Sequence, residues 1–261
     1  MRLAAALAVC ALFVSGARAV ELKPETVQAF DRYVRDTEVR LERRLRPDGR
    51  FLWVDEEPQR LALVRQGQLA IENRNAAGAL AVPGGLIHDW IGAVFIGGVT
   101  LGKTLAFVQD YDRNQDNYKP EVLASRLDGR SGNDFKVHLR LMKQKVITVI
   151  LDTDYDVRYF PLDGGRCHSR AYSTRIVEVE HAGKRDERTL PPGQDNGFLW
   201  RLYSYWRFQE RDGGVYVECE AISLTRGIPA GLGWLIQPIV MTLPRESLAN
   251  TLRETRAALQ K

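Results

Sequence analysis

The stretch FLWRLYSYWRFQERDGGVYVECEAISL, residues 198–224, decides the fold. Asp212 and Gly213 stand between two alternating runs, and Asp-Gly is a strong hairpin signal because both residues tolerate the positive φ of a two-residue turn. Centring the turn there sets Phe208 opposite Val217, Arg207 opposite Glu218, Trp206 opposite Cys219 and Tyr205 opposite Glu220. One face then carries Trp200, Leu202, Trp206, Phe208, Val217, Cys219 and Ala221. The other carries an Arg–Glu pair and tyrosines. A slip of one residue would mix the two faces, which supports this register. The apolar face is expected to point inward.

Downstream, residues 247–259 place Leu248, Leu252 and Leu259 on one face of an amphipathic closing helix. Between hairpin and helix, residues 227–243 form an apolar glycine- and proline-containing segment with Trp234. It reads as core packing, with transient membrane or ligand contact as the other reading. Upstream, residues 121–127, 135–141, 146–160 and 169–180 alternate as strands, and no helical period interrupts them. Asp128-Gly129 and Asp163-Gly164 read as two further turns. Residues 86–96 read as the first strand and 100–109 as a helix. The fold class is therefore α+β, a curved antiparallel β-sheet (a meander) wrapped around a long C-terminal helix. Such a sheet either fills its interior with large side chains or keeps a cavity, and the sequence leaves both open.

Residues 20–75 read as an N-terminal helical extension to a domain over 76–261. Val27, Phe30, Val34, Leu41 and Leu45 recur at helical intervals, and Pro47-Asp48-Gly49 ends the run. A weaker helix follows Pro58. Arg40, Arg43 and Arg44 are expected on a solvated face.

The first 19 residues have the three parts of a cleavable export signal. Arg2 gives the positive start, residues 3–14 an unbroken apolar run, and residues 15–19 end in Ala-x-Ala. The run is too short for a permanent span, which takes roughly 20 apolar residues. The expected location is the bacterial periplasm or the medium.

The chain has 37 Lys and Arg against 33 Asp and Glu. Losing Arg2 and Arg18 with the signal leaves the charge nearly balanced, and no basic, aromatic-interleaved motif points to nucleic acid. Cys167 and Cys219 fit no metal spacing; in an oxidising compartment they could pair, and the reading favoured over that is two buried free thiols.

No residue set carries a clear chemistry. Glu218 and Glu220 share a strand face about 6.5–7 Å apart, a spacing that could serve an acid and a nucleophile. Arg207 opposite Glu218 explains them as a cross-strand charge pair instead. Asp152, Asp154 and Asp156 echo half a calcium loop but lack its glycine, and they read as the outer side of a strand. The histidines form no ligand motif, His88 reads as a buried core residue and His138 as exposed. No metal and no cofactor is expected. The polar residues 181–197 have the length of a lid or binding loop.

The segment from Gly85 onward resembles the START-like superfamily, the SRPBCC or helix-grip domains that include lipid-transfer and polyketide-cyclase-type proteins. The order of elements carries the resemblance, with VQDYD at 108–112, YKPEV at 118–122, GGVYVECE at 213–220 and IPAGLGW at 228–234. The chain also resembles exported bacterial proteins of this kind. The resemblance implies a cavity for a lipid or other hydrophobic small molecule and no universal catalytic residues.

On that basis the expected lining is Phe135, Val137, Leu139, Trp200, Leu202, Trp206, Phe208, Leu248 and Leu252, with His88, Tyr118 and Arg175 as polar cavity candidates. The first functional expectation is a binding protein. A cyclase- or hydrolase-type enzyme using the same cavity is the second, and an envelope protein-interaction domain with a filled core is the third.

Overall fold

The computed structural model describes residues 22–145, 148–191, 193–228 and 233–261. The expected export signal lies outside them, as do residues 229–232 of the apolar segment before the closing helix.

In chain order the elements are α1 (Pro24–Arg43), α2 (Pro58–Arg65), β1 (Ala70–Asn73), β2 (Leu80–Val82), β3 (Gly85–Gly97), α3 (Leu101–Val108) and α4 (Asn114–Asn117). Then come β4 (Val122–Ser131), β5 (Asp134–Gln144), β6 (Thr148–Pro161), β7 (Arg166–Glu180), β8 (Arg188–Thr189), β9 (Arg201–Arg211), β10 (Gly214–Arg226) and α5 (Gly233–Leu259). All strands join one antiparallel sheet ordered β1-β3-β10-β9-β7-β6-β5-β4, with β2 on β3 and β8 on β7. The run from β4 to β10 is the expected meander, and β10 then returns to pair with β3 along its whole length.

The β9–β10 hairpin has the register read from its turn: Phe208↔Val217, Arg207↔Glu218, Trp206↔Cys219 and Tyr205↔Glu220. Asp212 (φ 56) and Gly213 (φ 74) both take positive φ, as a turn matched to the right-handed twist of the strands requires. Asp128 and Gly129, by contrast, lie inside β4 at a register shift. The β4–β5 turn falls instead at residues 132 and 133, where Gly132 has φ 58. Here the better turn signal lost to the length of the strand pairing.

Three further expectations change. Residues 70–73 are not helical but a short strand on the edge of β3. The closing helix begins at Gly233, well before residue 247. The face of β9–β10 bearing Arg207, Glu218 and Glu220 is not solvated, because α1 and the turn at Trp53–Glu56 lie across it.

That outer face holds two apolar clusters. In one, Phe30, Val34 and Leu41 of α1 meet Ile87, Trp200, Tyr205, Ile222 and Leu224. In the other, Phe51 to Val54 meet Ile91, Ala93 and Tyr216. Between them lies a buried charge network. Arg44 Nη2 donates to Glu218 Oε1 at 2.7 Å, the Trp53 amide donates to Glu218 Oε2 at 2.5 Å, and Arg40 pairs with Glu220. Arg207 donates to the carbonyls of Phe51 and Leu41 at 2.9 and 2.8 Å. Arg44 is therefore a buried partner and Arg40 a half-buried partner of the strand carboxylates, while Arg43 is exposed. Cross-strand pairing alone does not explain Glu218 and Glu220: their direct ion-pair partners stand on α1 and its C-terminal cap.

Asp89 joins this network, accepting from Tyr33 Oη at 2.8 Å. Burial and the nearby Glu220 carboxylate hold its pKa well above the usual carboxylate range.

On the opposite, concave face α5 lies over β3. Gly92 permits this approach, since a Cβ there would stand 2.8 Å from Leu252 Cδ1 and 3.2 Å from the Ala70 carbonyl. Gly92→Val should push the helix off the sheet and lower stability by about 1–3 kcal/mol, read as a reduced urea midpoint.

Candidate ligand cavity

The concave face does not close on itself. Between it and α5 lies a cavity of about 580 Å³, a size typical of small-molecule sites. Strand alternation explains which residues see it. On β6 the odd-numbered Leu151, Tyr155, Val157 and Tyr159 face inward while Asp152, Asp154 and Asp156 face out. Those aspartates are taken by β5: Arg140 on Asp152 (2.8 Å), His138 Nδ1 on Asp154 (2.7 Å) and Lys136 on Asp156 (3.4 Å). His138 is thus half-buried against Asp154 rather than exposed.

Space remains because the middle of the wall is small. Ser169 and Ala171 on β7, Ser204 on β9, and Cys219, Ala221 and Ser223 on β10 all face the cavity. Trp206 and Phe208 stack beside them with centroids 6.0 Å apart.

Of the expected lining, Val137, Leu139, Leu202, Trp206, Phe208 and Leu248 border the cavity, and so does Tyr118. The others lie elsewhere. Phe135 is buried in the aromatic cluster below, edge-on to Tyr111 (5.5 Å) and Tyr159 (5.4 Å). Leu252 is spent on the contact with Gly92.

Trp200 precedes β9 at a bend after Gly197 (φ 68), so the parity of the strand does not reach it. Its indole packs in the α1 cluster and donates to Asp195 at 3.3 Å. Arg175 is on the outer side, 3.4 Å from Asp154. His88 is fully buried in β3, with Nε2 3.3 Å from Thr225 Oγ1 and no partner for Nδ1 among the described residues. Its burial lowers its pKa to about 4.

The cavity has two unlike ends. At one end Tyr111 and Tyr159 join hydroxyls at 2.9 Å. Further along, Tyr118 Oη meets Thr255 Oγ1 at 3.0 Å. Burial pushes the Tyr118 and Tyr155 hydroxyls up to about 12 and raises the Cys219 thiol, so these three groups stay protonated and neutral. Cys167 and Cys219 are both buried and free.

The other end collects the start of β4, the end of β5, the start of β6, the segment before β9 and the end of β10. It carries charge: Lys119, Glu121, Lys143, Lys145 and Arg226 border the cavity there. The polar 181–197 segment is pinned rather than loose. β8 pairs with β7, and buried Glu178 accepts from Asn196 N (3.0 Å), Asn196 Nδ2 (2.7 Å) and Phe198 N (3.1 Å).

Sequence reasoning missed Tyr111, Tyr155 and Tyr159, the small wall residues Ser169, Ala171, Ser204 and Ser223, and the charged end, while Cys219 and Ala221 were on the face expected to point inward. The parity of the Asp152, Asp154 and Asp156 strand already singled out the tyrosines of β6. No signal singled out the charged end, whose residues come from separate strands and loops.

No protein-family model matches the chain, and no curated protein is significantly similar to it. Solved structures similar to it include a STAR-related lipid transfer protein fragment from Xanthomonas axonopodis (17% identity, 74% of this chain and 99% of that one, TM-score 0.47). A protein from Thermus thermophilus is similar at 14% identity over 65% of this chain and 94% of its own, TM-score 0.47. The Zhui aromatase/cyclase from a Streptomyces species is similar at 10% identity over 67% of this chain and 94% of its own, TM-score 0.44. By its own strand order, with the last strand returning to β3 and the C-terminal helix gripped over the concave face, the chain has an α+β helix-grip fold.

Proposed function

We propose that this chain is an exported binding protein that holds one lipid or other hydrophobic small molecule between the sheet and α5. The observation that carries the reading is the cavity of about 580 Å³, walled by small and apolar side chains. Apolar walls with a few placed polar groups are the composition of ligand sites. The export signal over residues 1–19 supports action outside the cytoplasm, where a water-insoluble molecule needs shielding. No described helix is long and apolar enough to cross a membrane.

Two observations disfavour the other expectations. A filled-core interaction domain does not leave this much space. A cyclase or hydrolase needs a base at the cavity surface; the inward tyrosines and Cys219, held protonated by burial, do not supply one, which leaves that role to Glu121, already paired with Lys143, and to Glu254.

The test fills the space. Ser204 and Ala221 are cross-strand partners on the concave wall, so Ser204→Phe with Ala221→Phe should occupy the middle of the cavity. Titration with an environment-sensitive fatty-acid probe is expected to give saturable one-to-one binding in the wild type and at least tenfold weaker binding in the double variant. Unchanged affinity, with the variant still folded by circular dichroism, counts against the cavity as the binding site.

A further inference from the structure

The charged end of the cavity has a composition that the apolar walls do not demand. Four cations border the cavity, Lys119, Lys143, Lys145 and Arg226, against two carboxylates, Glu121 and Glu254. Lys143 is taken by Glu121 and by Ser247 Oγ at 2.7 Å, and Lys145 pairs with Glu246. Arg226 and Lys119 have no carboxylate partner among the described residues.

Arg226 is held in place by a chain of contacts rather than left to wander. Glu178 fixes the 196–198 segment, and Asn196 then accepts from Arg226 Nη1 at 2.9 Å through its carbonyl. The carbonyl of Gly197 accepts the Arg226 amide at 2.8 Å. A Cβ on Gly197 would stand 2.9 Å from Arg226 Cβ, so the close fit needs glycine there. One edge of the guanidinium is thus fixed by a neutral acceptor, which leaves its charge uncompensated at the cavity border.

We propose that this end is a head-group site for a single anionic group, a carboxylate or a phosphate, borne by a molecule whose apolar part lies along the walls. The inference rests on the ligand-cavity reading and adds the polarity and direction of the ligand. Arg226 is the principal contact, because a planar guanidinium matches either anion with paired hydrogen bonds. Lys119 supplies a second, flexible charge. The aromatic end, with its neutral Tyr111–Tyr159 hydroxyl pair, receives the far end of the chain.

The test compares molecules that share one hydrocarbon chain and differ in the head group: palmitate, hexadecyl phosphate, hexadecanol and hexadecylamine. Each is titrated into the purified protein below its own aggregation threshold, and the intrinsic tryptophan fluorescence, to which Trp206 on the cavity wall contributes, is followed. Palmitate or hexadecyl phosphate should bind about tenfold more tightly than hexadecanol, and hexadecylamine should be weakest. The better of the two anions identifies the source of the head group.

Arg226→Gln should bring the anion and the alcohol within about twofold, Arg226→Lys should restore part of the preference, and Lys119→Gln should remove a smaller part. Lys119→Gln also provides a test that does not depend on how well the Arg226 variants fold. Equal binding of palmitate, hexadecyl phosphate and hexadecanol overturns the head-group site while leaving the cavity reading intact. Binding of none of the four overturns both.

Discussion

Glu218→Ala is expected to cost about 3–5 kcal/mol of folding stability, the largest effect of any single substitution considered for this chain. Glu218 is 2% exposed and accepts from both Arg44 and the Trp53 amide, with Arg207 directly across on β9. Removing the carboxylate leaves two buried guanidinium groups facing each other with less compensation, and one buried amide without its acceptor. Glu218→Gln should cost less, since the amide oxygen can still accept. Lys136→Ala, which breaks an exposed pair with Asp156, should cost well under 1 kcal/mol. Urea unfolding of the three variants measures this, and a Glu218→Ala loss no larger than that of Lys136→Ala would contradict the interior role of the network.

The second large effect is acid sensitivity. His88 is fully buried, and His168 is 7% exposed, stacked on Phe160 at 4.7 Å. Burial lowers both pKa values to about 4, helped at His168 by the positive charges of Arg207 and Arg170. In the unfolded chain a histidine titrates near pH ~6.5. Between these values the unfolded state binds more protons, so stability present above about pH 6.5 is lost as the pH falls toward 4.

Each histidine should withdraw up to about 3 kcal/mol across that window. Asp89 acts in the opposite direction. Its raised pKa means that it contributes stability at acid pH and loses that contribution as the pH rises through its folded value. The histidine variants therefore isolate the effect better than the wild-type profile does. Denaturant midpoints from pH 8 to 4 should fall steeply for the wild type and less steeply for His88→Gln and His168→Gln. Parallel profiles for all three proteins would show that these histidines are not the groups that titrate.

The fold was legible where one local signal fixed many residues at once. Asp212-Gly213 set the register of β9 and β10, and that register correctly separated Trp206, Phe208 and Cys219 from Arg207, Glu218 and Glu220. What alternation could not say is what covers the second face. A strand with carboxylates and arginines on one side reads as solvated unless another element brings the opposite charges. Here α1 brings them, through Arg40 and its cap residue Arg44, which taken alone look like a surface run.

The candidate site was readable to the same extent and for the same reason. Residues well inside strands, such as Val137, Leu139, Leu202 and Trp206, could be placed by parity. Trp200 could not, because the chain bends at Gly197 before the strand begins. Phe135 and Leu252 have the right parity or periodicity but are consumed by packing, and only three-dimensional contacts distinguish packing from lining. The charged mouth is a product of topology, since Lys119, Lys143 and Arg226 meet only after the sheet has curved.

The central claim is that the space between sheet and closing helix holds a molecule, and mass spectrometry tests it most directly. The protein is purified without detergent from its host and sprayed under native conditions, then sprayed again after extraction with organic solvent. The account predicts a mass excess equal to one hydrophobic molecule, lost on extraction and absent from the Ser204→Phe, Ala221→Phe double variant. The bare polypeptide mass in every sample, together with no uptake of palmitate, hexadecyl phosphate or hexadecanol afterwards, would contradict it.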